Sequence, residues 1–343
     1  MKVISHFQCN SRLSSKENTS AGPPAKRTCS ISRRSLCQKG YRQFLELKLL
    51  CCICYNAVMK YDIVTDIKTV MTLLRLTSSQ LAENLGVARS TVSRILKGQT
   101  YPNDLFLESF YSFSYDNPIR PLRLNQIKIQ FGRDNYDKLL FHGARGPLEM
   151  PIDLDHSRSD VDLGKGFYLG ESFEQASSYV FSNLKSSIYL FAEHQLDGLR
   201  VKEFGVSLEW MLLVAYYRGH LGEYEQSAFL QSLLKDVAQY DVIVAPIADN
   251  NMYEIITQFA RGDLTDQQAK LALSASNLGK QHVLKSEKAC QRVAPFAQLY
   301  LCEKERHDIS EKRKEARDAS ADKARLAIQS LRRKGKYIEE ILK

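Results

Sequence analysis

At 343 residues, with 44% hydrophobic and 25% charged residues, the chain has length for two or three domains with buried cores, which excludes collagen-like, wholly disordered and polytopic membrane classes. Its formal net charge of +9 is localised: residues 1 to 58 hold ten Lys/Arg against Glu17 and Glu46, so whole-chain charge says little about the remaining 285 residues. Six of the eight cysteines (Cys9, Cys29, Cys37, Cys51, Cys52 and Cys54) share that segment, and so long a chain without a secretory leader argues against a disulfide scaffold.

Residues 1 to about 40 mix Ser, Lys, Arg, Pro and Cys without a sustained period, so 1–58 reads as a disordered extension. Met59 is the expected biological start, which N-terminal mass analysis of the native product decides. Cys51-Cys52-Ile53-Cys54 reads as incidental composition, because adjacent cysteines span a tetrahedral metal shell poorly. The apolar run Leu47 to Met59 contains Lys48 and falls short of the ~20 apolar residues that span a bilayer, so a cytoplasmic protein without membrane contact is expected.

From Asp66 the spacing of Ile67, Val70, Met71 and Leu74 predicts a helix. In Thr77 to Gly98, Thr77 or Ser78 caps a second helix, Gly86 supplies a turn, Ala88 or Arg89 opens a third, and Gly98 closes it. Gln80, Ala82, Gly86, Ser90 to Ser93 and Leu96-Lys97-Gly98 resemble the helix-turn-helix of the Xre/Cro-like repressors, over a domain set at 59–117. That resemblance implies that Gln80, Arg89, Ser90, Thr91, Ser93 and Arg94 lie near DNA, with a homodimer reading paired half-sites. Against it, residues 59 to 117 hold six basic and six acidic groups, so the nonspecific electrostatic attraction is weak.

Residues 118–125, with Pro118 and Pro121, read as a linker, and Ile127, Ile129 and Phe131 alternate as a half-buried strand opening a domain at 126–302. Further strands are expected at 138–142, 167–169, 187–192, 200–204, 241–245, 281–284 and 298–302, with helices at about 172–183, 207–219, 224–236, 251–260 and 265–276. Strands scattered among helices without a βαβ rhythm predict an α+β fold. Residues 303–343 read as a charged helical tail ending in a small apolar patch of Ile328, Leu331, Tyr337, Ile338, Ile341 and Leu342 around Gly335 that packs on its own domain.

The chemistry-bearing stretch runs from Leu139-Leu140-Phe141-His142-Gly143 through Asp153-Leu154-Asp155-His156-Ser157-Arg158 to Asp162-Leu163-Gly164-Lys165-Gly166-Phe167-Tyr168. A His ending an apolar strand, a Gly that admits a ligand to bare backbone, and an aromatic face suit a flat amide-bearing heterocycle such as nicotinamide. Arg158 suits a pyrophosphate. Asp153, Asp155 and His156 lack a further ligand to complete a shell, so no metal is expected. Asp249-Asn250-Asn251 either faces a cleft or caps the next helix.

Here the chain resembles the ADP-ribosyltransferase superfamily, in the branch of diphtheria toxin and the poly(ADP-ribose) polymerases, and within it an uncharacterised bacterial domain family often encoded beside toxin-antitoxin or phage-defence genes. The likeness covers about 125–300 and implies a split-sheet fold with NAD as substrate. It implies that His142 binds a ribose of NAD, that the backbone of Gly143 holds the carboxamide, that Tyr168 stacks on the nicotinamide, and that Gly166 and Arg158 complete the NAD site. Gln281 stands where the family carries a Glu; a Gln hydrogen-bonds but brings no charge to an oxocarbenium-like transition state. The expectation is therefore a mono-ADP-ribosyltransferase with catalytic His142, Tyr168 and Gln281, acting on a protein or nucleic acid, with an antitoxin or neighbouring-gene partner. The rival expectation is a DNA-binding autoregulator that senses NAD, or a partner, without turnover.

Overall fold

The computed structural model describes residues 61–343 except 118, 135, 184, 249, 275–278 and 332–333, and of Asn250 only its backbone. These residues belong to one compact unit, Cys52–Lys343. The extension, the start at Met59 and the Cys51–Cys54 cluster lie outside the described residues. Among the described residues no helix is long and apolar enough to cross a membrane.

Four helices open the structure: α1 (Ile63–Leu73), α2 (Ser78–Asn84), α3 (Arg89–Leu96) and α4 (Asp104–Tyr115). Helix α1 starts three residues before the expected Asp66, because the Asp62 side chain accepts from the Thr65 N–H and caps it. Thr77 caps α2 through a reciprocal capping box with Gln80. Gly86 (φ 64°) and Gly98 (φ 67°) take the left-handed conformation that ends α2 and α3. Ile67, Val70, Leu81, Val92 and Phe110 are fully buried between the four helices. Asp66 is buried among them, accepting from the Tyr111 hydroxyl at 2.6 Å and pairing with Arg123 Nε at 2.8 Å. Burial raises its carboxyl above the usual range, with Arg123 opposing.

The expected linker and strand are one helix, α5 (Ile119–Arg133). The alternation at Ile127, Ile129 and Phe131 misleads because Ile129 is exposed, while Ile119 and Ile127 are buried at helical spacing. Pro121 sits in the first turn, where its missing N–H costs no hydrogen bond. Arg120 anchors the helix to Glu305 at 2.8 Å and to the Tyr300 carbonyl, and Arg123 anchors it to Asp66.

Seven strands follow: β1 (Lys138–Ala144), β2 (Phe167–Gly170), β3 (Ser187–Glu193), β4 (Val201–Glu203), β5 (Val242–Pro246), β6 (Lys280–Leu284) and β7 (Val293–Tyr300), the last beginning five residues before the expected 298. They form one sheet in the order β4-β5-β6-β2-β1-β3-β7, antiparallel except for β4 with β5. The sheet is thus continuous rather than divided in two, yet it has one thin joint. Strands β1 and β3 pair from Lys138↔Glu193 to Ala144↔Ser187, whereas β1 and β2 pair only at Phe141↔Gly170.

One face of the sheet is covered by helices. Over the β5-β6-β2 half lie α7 (Leu208–Tyr217), α8 (Ala228–Val237), α9 (Asn250–Ala260) and α10 (Asp266–Ser274). Over the other half lies α6 (Phe173–Val180), against Phe141, Ile188 and Leu190. The opposite face, with Leu140, Phe167, Leu169 and Tyr189, is covered by α11 (Glu287–Cys290) and by residues of the 148–154 and 196–199 loops. Helix α12 (Glu303–Ser330) follows β7, and α13 (Ile338–Leu342) buries Ile338 and Leu342 beside α8, as the sequence implied for the terminal patch.

Candidate functional site

A cleft of about 2350 Å³ opens beside the thin β1/β2 joint, walled by α5, α6, α12 and the 145–166 loop, and His142, Gly143, Arg158, Gly166, Tyr168 and Gln281 all line it. The order β6-β2-β1 makes the three strands that carry His142, Tyr168 and Gln281 immediate neighbours.

The side chains do not converge as expected. His142 stacks on Phe167, with ring centroids 4.4 Å apart, so strand alternation places it on the face opposite to Tyr168. The two residues meet through the main chain: His142 Nδ1 lies 2.7 Å from the Tyr168 carbonyl, which can only accept. Nδ1 therefore carries the proton and Nε2 keeps its lone pair. Burial lowers the imidazole below its ordinary value, which keeps it neutral.

Tyr168 packs against the helix-covered core, and its hydroxyl belongs to the preceding turn, accepting from Leu163 N–H at 3.1 Å and donating to the Gly164 carbonyl at 2.6 Å. Burial raises the phenol far above its usual range, so it acts as a neutral ring. Lys285 holds the same turn, donating to the Leu163 carbonyl at 2.7 Å and to the Lys165 carbonyl, and burial pushes its ammonium down to about 8.

Two glycines have packing reasons. A Cβ on Gly143 would stand 2.4 Å from the Ala176 carbonyl of α6, and one on Gly166 would stand 2.6 Å from Val283 Cγ1. The bare backbone of Gly143 admits a helix, and the Gly166 N–H donates to Ser157 Oγ at 3.2 Å. Arg158 stands on the exposed lip of the cleft with its guanidinium engaged by Asp160 at 2.9 and 2.6 Å.

Gln281 is buried, and its amide donates to the Pro246 carbonyl at 3.1 Å and to Asp162 Oδ2 at 3.3 Å. Asp162 is held in turn by Arg218, at 3.1 Å from Nε and 2.7 Å from the second guanidinium nitrogen. A glutamate at 281 would face the Asp162 carboxylate, so the amide is the group that this pocket accommodates. Asp162, Arg218 and Lys285 escaped the sequence reading. Asp162 adjoins the Leu163-Gly164-Lys165-Gly166 turn, a signal that was present, but nothing in the sequence links it to Arg218 at the end of α7.

The rest of the polar loop is local structure: Asp153 accepts from Asp155 N–H and pairs with His156 at 2.8 Å, both in an exposed turn. Among the described residues no three His, Cys, Asp or Glu side chains come together as a metal set. Asp249 lies outside the described residues, and Asn251 donates to the Arg317 carbonyl of α12 at 2.7 Å rather than into the cleft. On the helix-turn-helix, Arg89, Ser90 and Arg94 are exposed along α3, Thr91 and Ser93 are half-buried, and Gln80 Oε1 is committed to the Thr77 N–H at 2.9 Å.

Residues 139–294 match the family described as Protein of unknown function (DUF3990), and residues 67–109 match the Helix-turn-helix family HTH_3. No curated protein and no solved structure matches the chain. The chain carries an Xre-like helix-turn-helix at 67–109 followed by a DUF3990 domain at 139–294.

Proposed function

We propose that the domain following the helix-turn-helix is an NAD-dependent mono-ADP-ribosyltransferase of a toxin-antitoxin or phage-defence type, with the helix-turn-helix as its DNA-binding element. The observation that carries this reading is the β1/β2 joint: two strands paired at a single position, with His142 on one, Tyr168 on the other, and Gln281 on the next strand, all bordering one cleft.

The neutral His142 offers Nε2 as an acceptor for a ribose hydroxyl. Tyr168 offers part of its ring to the nicotinamide while its hydroxyl stays bound to the turn. A target nucleophile attacks the ribose carbon that bears nicotinamide, the carbon–nitrogen bond breaks with its electron pair leaving on nicotinamide, and the nucleophile gives up a proton. Gln281 brings no charge of its own to this step, and the adjacent Asp162 is already paired to Arg218. Arg218, fixed at the cleft wall by Asp162 and lying over the Tyr253 ring at 5.3 Å, replaces Arg158 as the guanidinium best placed for the pyrophosphate.

The test is nicotinamide release from NAD by the full chain, beside His142→Ala, Tyr168→Ala and Arg218→Gln, with and without host lysate. Release that needs all three side chains and rises with lysate supports the transferase. NAD binding by calorimetry with no release in any sample would instead favour the sensing regulator, for which Gln281 in place of a carboxylate is the specific observation.

A further inference from the structure

Beyond Asp308, the long helix α12 sorts its charges by face. Glu311, Glu315, Asp318 and Asp322 recur at helical spacing along one stripe of α12, and none of them lines the cleft. Lys312, Arg313, Lys314, Arg317 and Lys323 all line it. Among the described residues no carboxylate pairs with these five; the ion pairs of α12 fall at Lys304, Glu305, Arg306, His307 and Arg325. Over the whole cleft, ten Lys/Arg stand against six Asp/Glu, and Asp153, Asp162 and Glu305 already hold cations or a histidine. A helix whose overall charge is nearly balanced thus turns a cationic wall to the site.

Two further features suit a particular polyanion. Tyr179 of α6 is 55% exposed at the cleft, and the Arg145 guanidinium lies over its ring at 5.4 Å. An exposed ring flanked by cations is a stacking platform for an unpaired base, the arrangement that binds single strands with little sequence preference. The cleft volume of about 2350 Å³ also exceeds the roughly 300–1,000 Å³ of pockets that enclose a small molecule.

We propose that this wall seats a single-stranded nucleic acid, with phosphates along Lys312, Lys314, Arg317 and Lys323 and a base on Tyr179, so that the acceptor class is nucleic acid. The acceptor role rests on the transferase reading above; the binding surface does not.

The experiment measures fluorescence anisotropy of a labelled mixed-sequence strand of about 20 nucleotides with the full chain, across a salt series. The variant Lys312→Gln/Lys314→Gln/Arg317→Gln/Lys323→Gln alters only exposed positions and spares Arg313, which donates to the Ser178 carbonyl. It is expected to weaken binding at least tenfold and to flatten the slope of log affinity against log salt by about 3, at ~0.7 per lost phosphate contact. Tyr179→Ala is expected to cost about tenfold. Wild type that does not bind, or a quadruple variant that binds equally well, overturns the proposal. So does poly-glutamate that displaces the strand as well as a competing strand does while Tyr179→Ala has no effect, an outcome that points to an acidic polypeptide. In a final arm with tagged NAD, label on the strand supports the acceptor assignment, and label on lysate protein beside a bound, unlabelled strand overturns it. A bound strand with no label anywhere and no nicotinamide release sinks the transferase reading and leaves the surface supported.

Discussion

The helix-turn-helix and the sheet domain differ in the reach of the contacts that make them. In the first, caps and turns close within a few residues: Thr77 with Gln80, Asn103 with Phe106, glycines at 86 and 98. Its exposed α3 residues then present themselves without further help. In the second, Gln281 meets Asp162 across 119 residues and Arg218 meets Asp162 across 56, so this polar cluster exists only when the whole sheet has formed. Local segments build the exposed α3 surface; distant segments build the cleft.

The two regions nevertheless share a seam, because Tyr300 and Cys302 belong to the helical core, with Tyr300 stacked on Tyr111 at 5.1 Å. The largest predicted effect tests that seam. Asp66→Ala leaves the Tyr111 hydroxyl and Arg123 short of a partner, at a cost of about 3 kcal/mol. In calorimetry one transition moves down as a whole; a separate early transition would show the helical region to be independent. Next, Gly143→Ala forces α6 away from β1, costs about 1–3 kcal/mol, and lowers the melting temperature of the ligand-free protein. An unchanged melting temperature would restore a purely ligand-directed reason for that glycine.

A smaller effect concerns pH. Because burial holds His142 below 6.5, the unfolded chain binds a proton there that the folded chain does not, so stability rises with pH up to about 6.5. His142→Gln loses that share of the slope, which thermal melts across mildly acidic pH measure. Smallest for stability is Ser90→Glu with Arg94→Glu, within about 0.5 kcal/mol, although it removes binding of duplex DNA in a mobility-shift assay.

The same contrast explains what was legible in the sequence. Thr77, Gly86 and Gly98 announced the helix-turn-helix because their roles are set by backbone geometry nearby. The positions of all seven strands were readable as short apolar runs, with β7 begun too late. The stretch 119–133 was misread because three alternating apolar residues satisfy a strand, while the evidence for a helix lies in Arg120 and Arg123 reaching partners far along the chain. His142, Tyr168 and Gln281 border one cleft, but their faces follow from register, which no motif states. Asp162, Arg218 and the sorted charges of α12 become visible only when distant segments lie side by side.

The seating of Ile338 and Leu342 in the main core gives α12 a second attachment, since the Gly335 turn also brings the Lys336 N–H to Asp266 at 2.7 Å. During synthesis the chain must have left the ribosome through Leu342 before that attachment can form. A chain cut before Ile338 therefore keeps the near end of α12, pinned by Arg120 to Glu305 and by Arg313 to the Ser178 carbonyl, and loses the clamp on its far end.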